Sequence, residues 1–505
     1  MTERNHPILI SGELPDLPLA PVITKKLLSF ERPSLQEPFS YEYALEEAVG
    51  EEIPFEALRA FSSDAEEWTG VYQGKRLIGI ENGDTRVHQY GVAVDIGTTT
   101  MVLSLVDLQT GRLLESAKEL NPQIPFGQEV IARIAYVVKH GKQGLLEEQA
   151  AVIKVICQMI QEVCQKTQVP SEFIYEVSVA GNPTMTHLLL GVDPRTIGRS
   201  PYVLTLQKGK SIPCSVVGLN GLSPFAQLAA LPTVSSYIGS DILGGIYARQ
   251  IYKFPGKSLF IDIGTNGEIV LGDRGHLYAC SAPAGPALEG MMIHSGMKAS
   301  QGAIEEIHIG EEGLDLSVIG GGEPLGICGS GILAAIREFV DQEWINQRGR
   351  LVDPTSLEAT DQRKHYIFEK EGKRYVRLIN DIIITQRDIQ HVQLAKAAIF
   401  AGIQVLLEKT GYEAADLDEV VVAGQFGSHI SEESLLLTGL FPHEFQGKIR
   451  YVGNASHSGA YLNLISSQAR KEMVQIAKGV DYTELSVLKR FERLFAKASR
   501  FKKGG

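Results

Sequence analysis

Two stretches decide how this chain is read: GVAVDIGTTTMVLSLVDLQTGRLLES (91–116) and SLFIDIGTNGEIVLGDRGHLYACS (258–281). Each is an apolar strand ending in D-I-G-T, then a second strand, a glycine-containing turn and a third strand. A repeated supersecondary unit marks a duplicated architecture, so two related lobes are predicted. An Asp at the end of a buried strand, with Gly two positions on, sets a carboxylate beside a tight turn. Gly97 and Gly264 are expected to take the φ that aims successive N–H groups at one point. Thr98, Thr99, Thr265 and Asn266 add hydroxyl or amide donors. Such donors suit phosphate oxygens. Asp95 and Asp262 suit Mg²⁺ or its waters, because Mg²⁺ prefers hard oxygen ligands and keeps much of its hydration. The unit is neither a Walker A loop nor a dinucleotide fingerprint: it lacks G-x-x-x-x-G-K-[ST] and turns into a hairpin, not a helix. One Asp-x-Gly is ordinary turn chemistry; two copies in matched settings are not.

Apolar residues at three- and four-residue spacing predict helices over 128–139, 146–167, 241–249, 331–344 and 388–410. The short, mostly apolar runs VSVA (177–180) and EVVV (419–422) read as central strands covered on both faces. The second of these runs into VVVAGQFG (420–427), where Gly424, Gln425 and Gly427 suit close approach to adenine and ribose. Two phosphate-type turns followed by a strand–glycine turn predict a nucleotide cleft between lobes. VSVAGNPT (177–184) and GNASHSGA (453–460) are strand-to-helix transitions, one in each half, and fit connecting helices whose small residues allow close packing. Glu268 follows the second turn directly and is a candidate general base toward a γ-phosphate. The twelve histidines form no H-x-H or H-E-x-x-H pattern, which argues against a dedicated zinc site.

The 505 residues carry 44% hydrophobic and 21% charged side chains, a globular composition with room for several domains. The net charge of −12 argues against a large nucleic-acid or anionic-membrane footprint. No run of 18 apolar residues suggests a membrane span. Cys157, Cys164, Cys214, Cys280 and Cys328 are irregularly spaced, with no C-x-x-C, and the first 156 residues hold none. That is no disulfide framework, and with no secretory signal it points to the cytoplasm. Residues 1–88 differ from the rest: 16 acidic side chains stand against 8 basic ones, with prolines at 7, 15, 18, 21, 33, 38 and 54. The expected organisation is a linker (1–24), a small accessory α+β domain (25–88), lobe I (89–256), lobe II (257–470) and a basic helical tail (471–505). Helical patterns at 41–49 and 54–61 and a hairpin at 67–72 and 76–80 are expected in the accessory domain.

These residues resemble the superfamily of acetate and sugar kinases, heat-shock ATPases and actin, whose duplicated ribonuclease-H-like α/β lobes clamp ATP. Within it they are more similar to the ATP-dependent reductive activators of corrinoid proteins. The resemblance runs through DIGTTT (95–100), NPQ with FGQEVIARI (121–134), AGNPTM (180–185), DIGTNGE (262–268) and ACSAPAGPALEG (279–290). It continues through GMKASQGAI (296–304), GICGSGI (326–332), AKAAIFAGI (395–403), AGQFGS (423–428) and GNAS (453–456). It implies binding and hydrolysis of ATP with Mg²⁺, in support of returning a partner corrinoid protein from Co(II) to Co(I). It also makes Asp241, in GSDILGG, a candidate to orient water or Mg²⁺; by position alone it is an ordinary helix N-terminal carboxylate. Family members typically begin with a [2Fe–2S] ferredoxin domain, whose cluster needs C-x₄-C-x₂-C plus a fourth Cys. The five cysteines here do not supply that spacing. No iron–sulfur cluster is therefore expected in this chain; either a separate low-potential donor would bring the electrons, or the chain is an ATPase that conditions its partner without reducing it. A homodimer is left open, as are two other readings: a phosphotransferase acting on a small metabolite, and a nucleotide-sensing module without turnover.

Overall fold

The computed structural model describes residues 14–424 and 430–501, which resolve into two units. One is built from 14–249 and 456–478, the other from the described parts of 250–455 and from 479–501. In the first unit the hairpin strands Tyr90–Ile96, Thr100–Asp107 and Leu113–Leu120 pair antiparallel in sequence order. Ile174–Gly181 and then Gln227–Ala230 add parallel to the free side of Tyr90–Ile96, and Lys210–Pro213 closes that edge antiparallel. The second unit repeats this plan. Lys257–Ile263, Gly267–Asp273 and His276–Ala282 form the antiparallel meander, and Glu419–Ala423 and Ile449–Tyr451 add in parallel beside the first of them. Its sixth strand, Val480–Tyr482, lies on the opposite edge, parallel to His276–Ala282. Both sheets thus share the order 3-2-1-4-5, the duplicated ribonuclease-H-like α/β fold.

Local chemistry sets the elements. Ile174–Gly181 is buried at every position, as a central strand with both faces covered must be. Val130–Thr167 is broken at Gly141, whose φ of 61° and ψ of −141° leave the helical region, so the two expected helices abut at a kink. Gln386–Thr410 starts from a capping box in which the Thr385 side chain accepts from the Asp388 N–H and Asp388 accepts from the Thr385 N–H. The second unit also carries two three-stranded sheets, around Ala303–Gly310 and Lys373–Ile379, that the sequence pattern did not suggest.

Several expected boundaries shift. Residues 456–478, assigned to lobe II and the tail, belong to the first unit. The tail is not uniformly helical: the helix Ser467–Gly479 is followed by the strand Val480–Tyr482 before the helix Lys489–Ala498. That last helix packs on Gln386–Thr410, where Lys396, almost fully buried, donates to the carbonyls of Ala498 (2.7 Å) and Arg500 (3.0 Å). Orphan carbonyls at a helix end are thereby satisfied. The strand Ile23–Leu28 starts inside the expected linker and adds to the hairpin Trp68–Gln73 and Arg76–Asn82 as a third strand. The accessory core is Leu45, Ile53, Ala57, Trp68, Leu77 and Ile80. Its other face meets Tyr175 and Phe225 of lobe I, and Lys25 bridges the two with a 2.7 Å ion pair to Glu81 and a 2.7 Å bond to the Tyr175 hydroxyl. Among the described residues no helix is long and apolar enough to cross a membrane.

Candidate functional site

The first turn lies between two strands whose register pairs Ile96 with Met101. The Gly97 N–H donates to the Thr100 carbonyl at 3.0 Å. Gly97 does not have a positive φ, against expectation; the glycine is needed because a Cβ there would lie 2.7 Å from the Thr100 carbonyl oxygen. Each carbonyl of the turn is taken up by the body of the unit. Asn121 Nδ2 donates to Gly97 O at 2.8 Å, Arg133 Nη2 donates to Thr98 O, and the Asn121 N–H donates to Thr99 O at 3.0 Å. Asn182 Nδ2 also donates to Thr98 Oγ1 at 3.0 Å. A trans peptide points its N–H opposite to the preceding carbonyl. The Thr98 and Thr99 amides therefore face away from that interior, at a half-buried lip where an anion would meet them.

Asp95 closes this site from the strand end. It is 8% exposed and accepts from Ser456 Oγ at 2.6 Å. Asp241 stands nearby at the head of the helix Ser240–Ala248. Burial pushes its carboxyl up to about 7, and the negative charge of Asp95 adds to that shift; a 2.9 Å bond from the Ile242 N–H works against it. Gly239 must lack a side chain, since a Cβ would lie 2.7 Å from Asn182 Cα and also crowd the Asp241 carboxyl. Two carboxylates that repel each other make a donor set suited to a hard divalent cation. Behind them, the helix Ser240–Ala248 crosses Ala455–Ile465 so closely that a Cβ on Gly244 would meet Gly459 Cα at 3.0 Å. Small residues do allow close packing there.

The second turn is shorter. Ile263 pairs with Gly267, and the Gly264 N–H donates to the Asn266 carbonyl at 2.9 Å. Gly264 has no positive φ either, and a Cβ there would have ordinary room, its nearest neighbour Glu289 Oε1 being 3.7 Å away. Thr265 Oγ1 donates to that same Glu289 oxygen at 2.8 Å. The register sets Asp262 directly opposite Glu268, so the two acids share one face of the hairpin. Gly424, at φ +96°, follows the neighbouring strand, and a Cβ on it would lie 2.7 Å from Asp262 Oδ1. Gln425 and Gly427, the other expected adenosine residues, lie outside the described residues.

The structure thus gathers Asp95, Gly97, Thr98, Thr99 and Asp241 in one unit, and Asp262, Gly264, Thr265, Asn266, Glu268 and Gly424 in the other. Reading for functional side chains missed Asn121, Arg133, Asn182, Glu289 and Ser456. All five sit in motifs quoted above, and the available signal was a polar side chain inside an otherwise apolar or glycine-rich run. Cys280 and Cys328 are fully buried, their thiols donating to the carbonyls of Gly402 (3.7 Å) and Ile304 (3.2 Å).

Comparison with known proteins adds an independent line. Residues 90–254 match the middle region of RACo, and 256–504 match the family described as the C-terminal, ASKHA domain of RACo. The chain is 32% identical over 446 residues to the corrinoid activation enzyme RamQ of Eubacterium limosum, covering 85% of this chain and 74% of that protein. It is 25% identical over 427 residues to a Co(II) methylated amine-specific corrinoid protein reductase of Methanosarcina barkeri, covering 77% and 73%. A solved structure titled reductive activator for corrinoid, iron–sulfur protein superposes with a TM-score of 0.82 at 33% identity, covering 98% of this chain and 81% of that one.

Proposed function

This chain belongs to the family of reductive activators of corrinoid proteins, and from that premise we propose that it is a Mg²⁺-dependent ATPase that drives a Co(II) corrinoid protein to Co(I). The observation that carries the reading is the recurrence, in each unit, of a donor-lined turn with a pair of acids beside it: Asp95 with Asp241, and Asp262 with Glu268. In the first unit the amides of Thr98 and Thr99 would bind phosphate oxygens. Thr265 and Asn266 would do the same in the second. Asp95 and Asp262 would hold Mg²⁺ through its oxygen shell, and the ion would supply positive charge to the phosphates. Asp241 and Glu268 are the candidates to orient the attacking water and accept its proton, and Gly424 would admit the adenosine.

ATP would act through differential affinity, favouring one conformation of the protein over another until hydrolysis releases it. The five cysteines do not form a cluster-binding spacing, and Cys280 and Cys328 are occupied in the core of the second unit. The electrons are therefore assigned to a separate low-potential donor. The test combines the purified chain, a Co(II) corrinoid protein, Mg²⁺ and titanium(III) citrate, and follows the corrinoid visible spectrum. Formation of Co(I) that requires ATP, with phosphate release reduced about a thousandfold in Asp95→Ala or Asp262→Ala, is the expected result. Equal Co(I) formation without ATP, or unchanged hydrolysis in both variants, sinks the reading.

A further inference from the structure

The proposed function leaves FGQEVIARI (126–134) without a task, yet this segment places a fully buried guanidinium directly behind the first turn. Two side chains donate to the turn carbonyls among the described residues, Asn121 and Arg133, and of these Arg133 bears a charge. Its fork is held from every side: Nε donates to Gly127 O at 2.9 Å, and Nη1 donates to Met185 Sδ at 3.0 Å and Gln123 Oε1 at 3.4 Å. Nη2 is left to donate to Thr98 O. Gly127 is itself needed for this seat, since a Cβ there would lie 2.6 Å from the Arg133 amide nitrogen. Gln123 in turn is set by Asn121, whose Oδ1 accepts from the Gln123 N–H at 2.9 Å, and by a 3.2 Å bond from its Nε2 to Glu148 O.

A buried cation is normally paired with a hydrogen-bonded carboxylate. Glu148 is the acid nearest in effect, but both its oxygens are buried without a hydrogen-bond partner. Burial pushes its carboxyl up to about 7 against the pull of Arg133. Among the described residues the hydrogen bonds of the guanidinium run to carbonyl oxygens, a thioether and an amide, and none runs to a carboxylate. A fixed cation one peptide away from an anion-facing amide strengthens that amide's hold on an anion.

We infer that Arg133 is a positioning residue for phosphate: it fixes the Thr98–Thr99 peptide with the Thr99 N–H outward and supplies a buried positive charge behind it. The inference rests on the reading of this turn as a phosphate site. The test measures dissociation constants of the full chain for ATP and for adenosine by calorimetry, in wild type, Arg133→Met and Arg133→Lys. Arg133→Met is expected to weaken ATP by about tenfold or more while adenosine stays within twofold. Arg133→Lys keeps the charge and one donor, and is expected to recover ATP affinity to within about threefold of wild type. Should Arg133→Met fail to fold, Arg133→Gln, which loses the charge and keeps a donor, carries the test, with ATP expected to weaken about fivefold and adenosine to stay within twofold. Wild-type ATP affinity retained in the uncharged variant that folds overturns the inference alone, as does a loss shared equally by ATP and adenosine. A wild-type chain that binds ATP no better than adenosine overturns the phosphate reading and the inference with it.

Discussion

In the first D-I-G-T turn Ile96 faces Met101 across the hairpin with Gly97–Thr100 between them, whereas in the second Ile263 faces Gly267 with Gly264–Asn266 between them. The shared tetrapeptide closes through one amide in each case, Gly97 to Thr100 and Gly264 to Asn266. The first copy carries one more peptide, and with it another carbonyl that needs a donor. Asn121 and Arg133 supply those donors from a buried layer. The second turn is steadied through a side chain, by Thr265 on Glu289. Equal local sequence thus specifies an equal start to the turn, while its length decides how much of the protein has to be built around it.

This contrast can be broken by experiment. Its largest expected effect lies in the buried charge behind the first turn. Glu148 has an ordinary value of 4.5 and is raised to about 7 in the folded chain, so the folded state holds a proton that the unfolded state releases. Its contribution to stability is complete below pH 4.5 and is lost as pH rises through 7, a fall on the order of 3 kcal/mol. Urea denaturation across that range should show the fall in wild type and a flatter profile in Glu148→Gln; parallel profiles would mean that Glu148 is not the proton holder.

Next come the glycines. Gly97→Ala forces a Cβ against the Thr100 carbonyl and should cost roughly 2 kcal/mol in the ligand-free chain. Gly264→Ala, with ordinary van der Waals room, should change stability by less than about 0.5 kcal/mol. Equal costs would erase the distinction between a crowded turn and an open one. A loss smaller than that at Gly97 sharpens the comparison from the other side: Thr265→Val removes the 2.8 Å bond to Glu289 and should cost about 1 kcal/mol. A double-mutant cycle with Glu289→Gln would show coupling if the two side chains act together, and additive losses would deny it.

Much of the fold was legible because its signals are local. The alternation and apolar runs of 91–116 and 258–281 specify strands, and Asp-x-Gly specifies the turn after each. The kinked helix was visible as two periodic segments with Gly141 between them. The strand Ile23–Leu28 was obscured by flanking prolines and by a partner, Trp68–Gln73, some forty residues away. The conformational role given to Gly97 and Gly264 was wrong in kind. Neither adopts the left-handed region, and only the folded turn reveals whether a missing Cβ serves backbone conformation, close approach or neither.

By itself the sequence determined that two copies of a strand–turn–strand unit exist, that an acid ends the first strand of each, and that donor-rich residues follow it. These are consequences of period, turn chemistry and side-chain type, all readable over a few residues. Tertiary structure alone decided which remote groups serve which turn. Ser456 reaches Asp95 across 361 positions of sequence, and Asn121, Arg133 and Asn182 converge on Gly97–Thr98 from separate elements. No local propensity encodes such meetings. They arise where packing buries a polar group and leaves it to be satisfied by whatever donor the fold brings within reach.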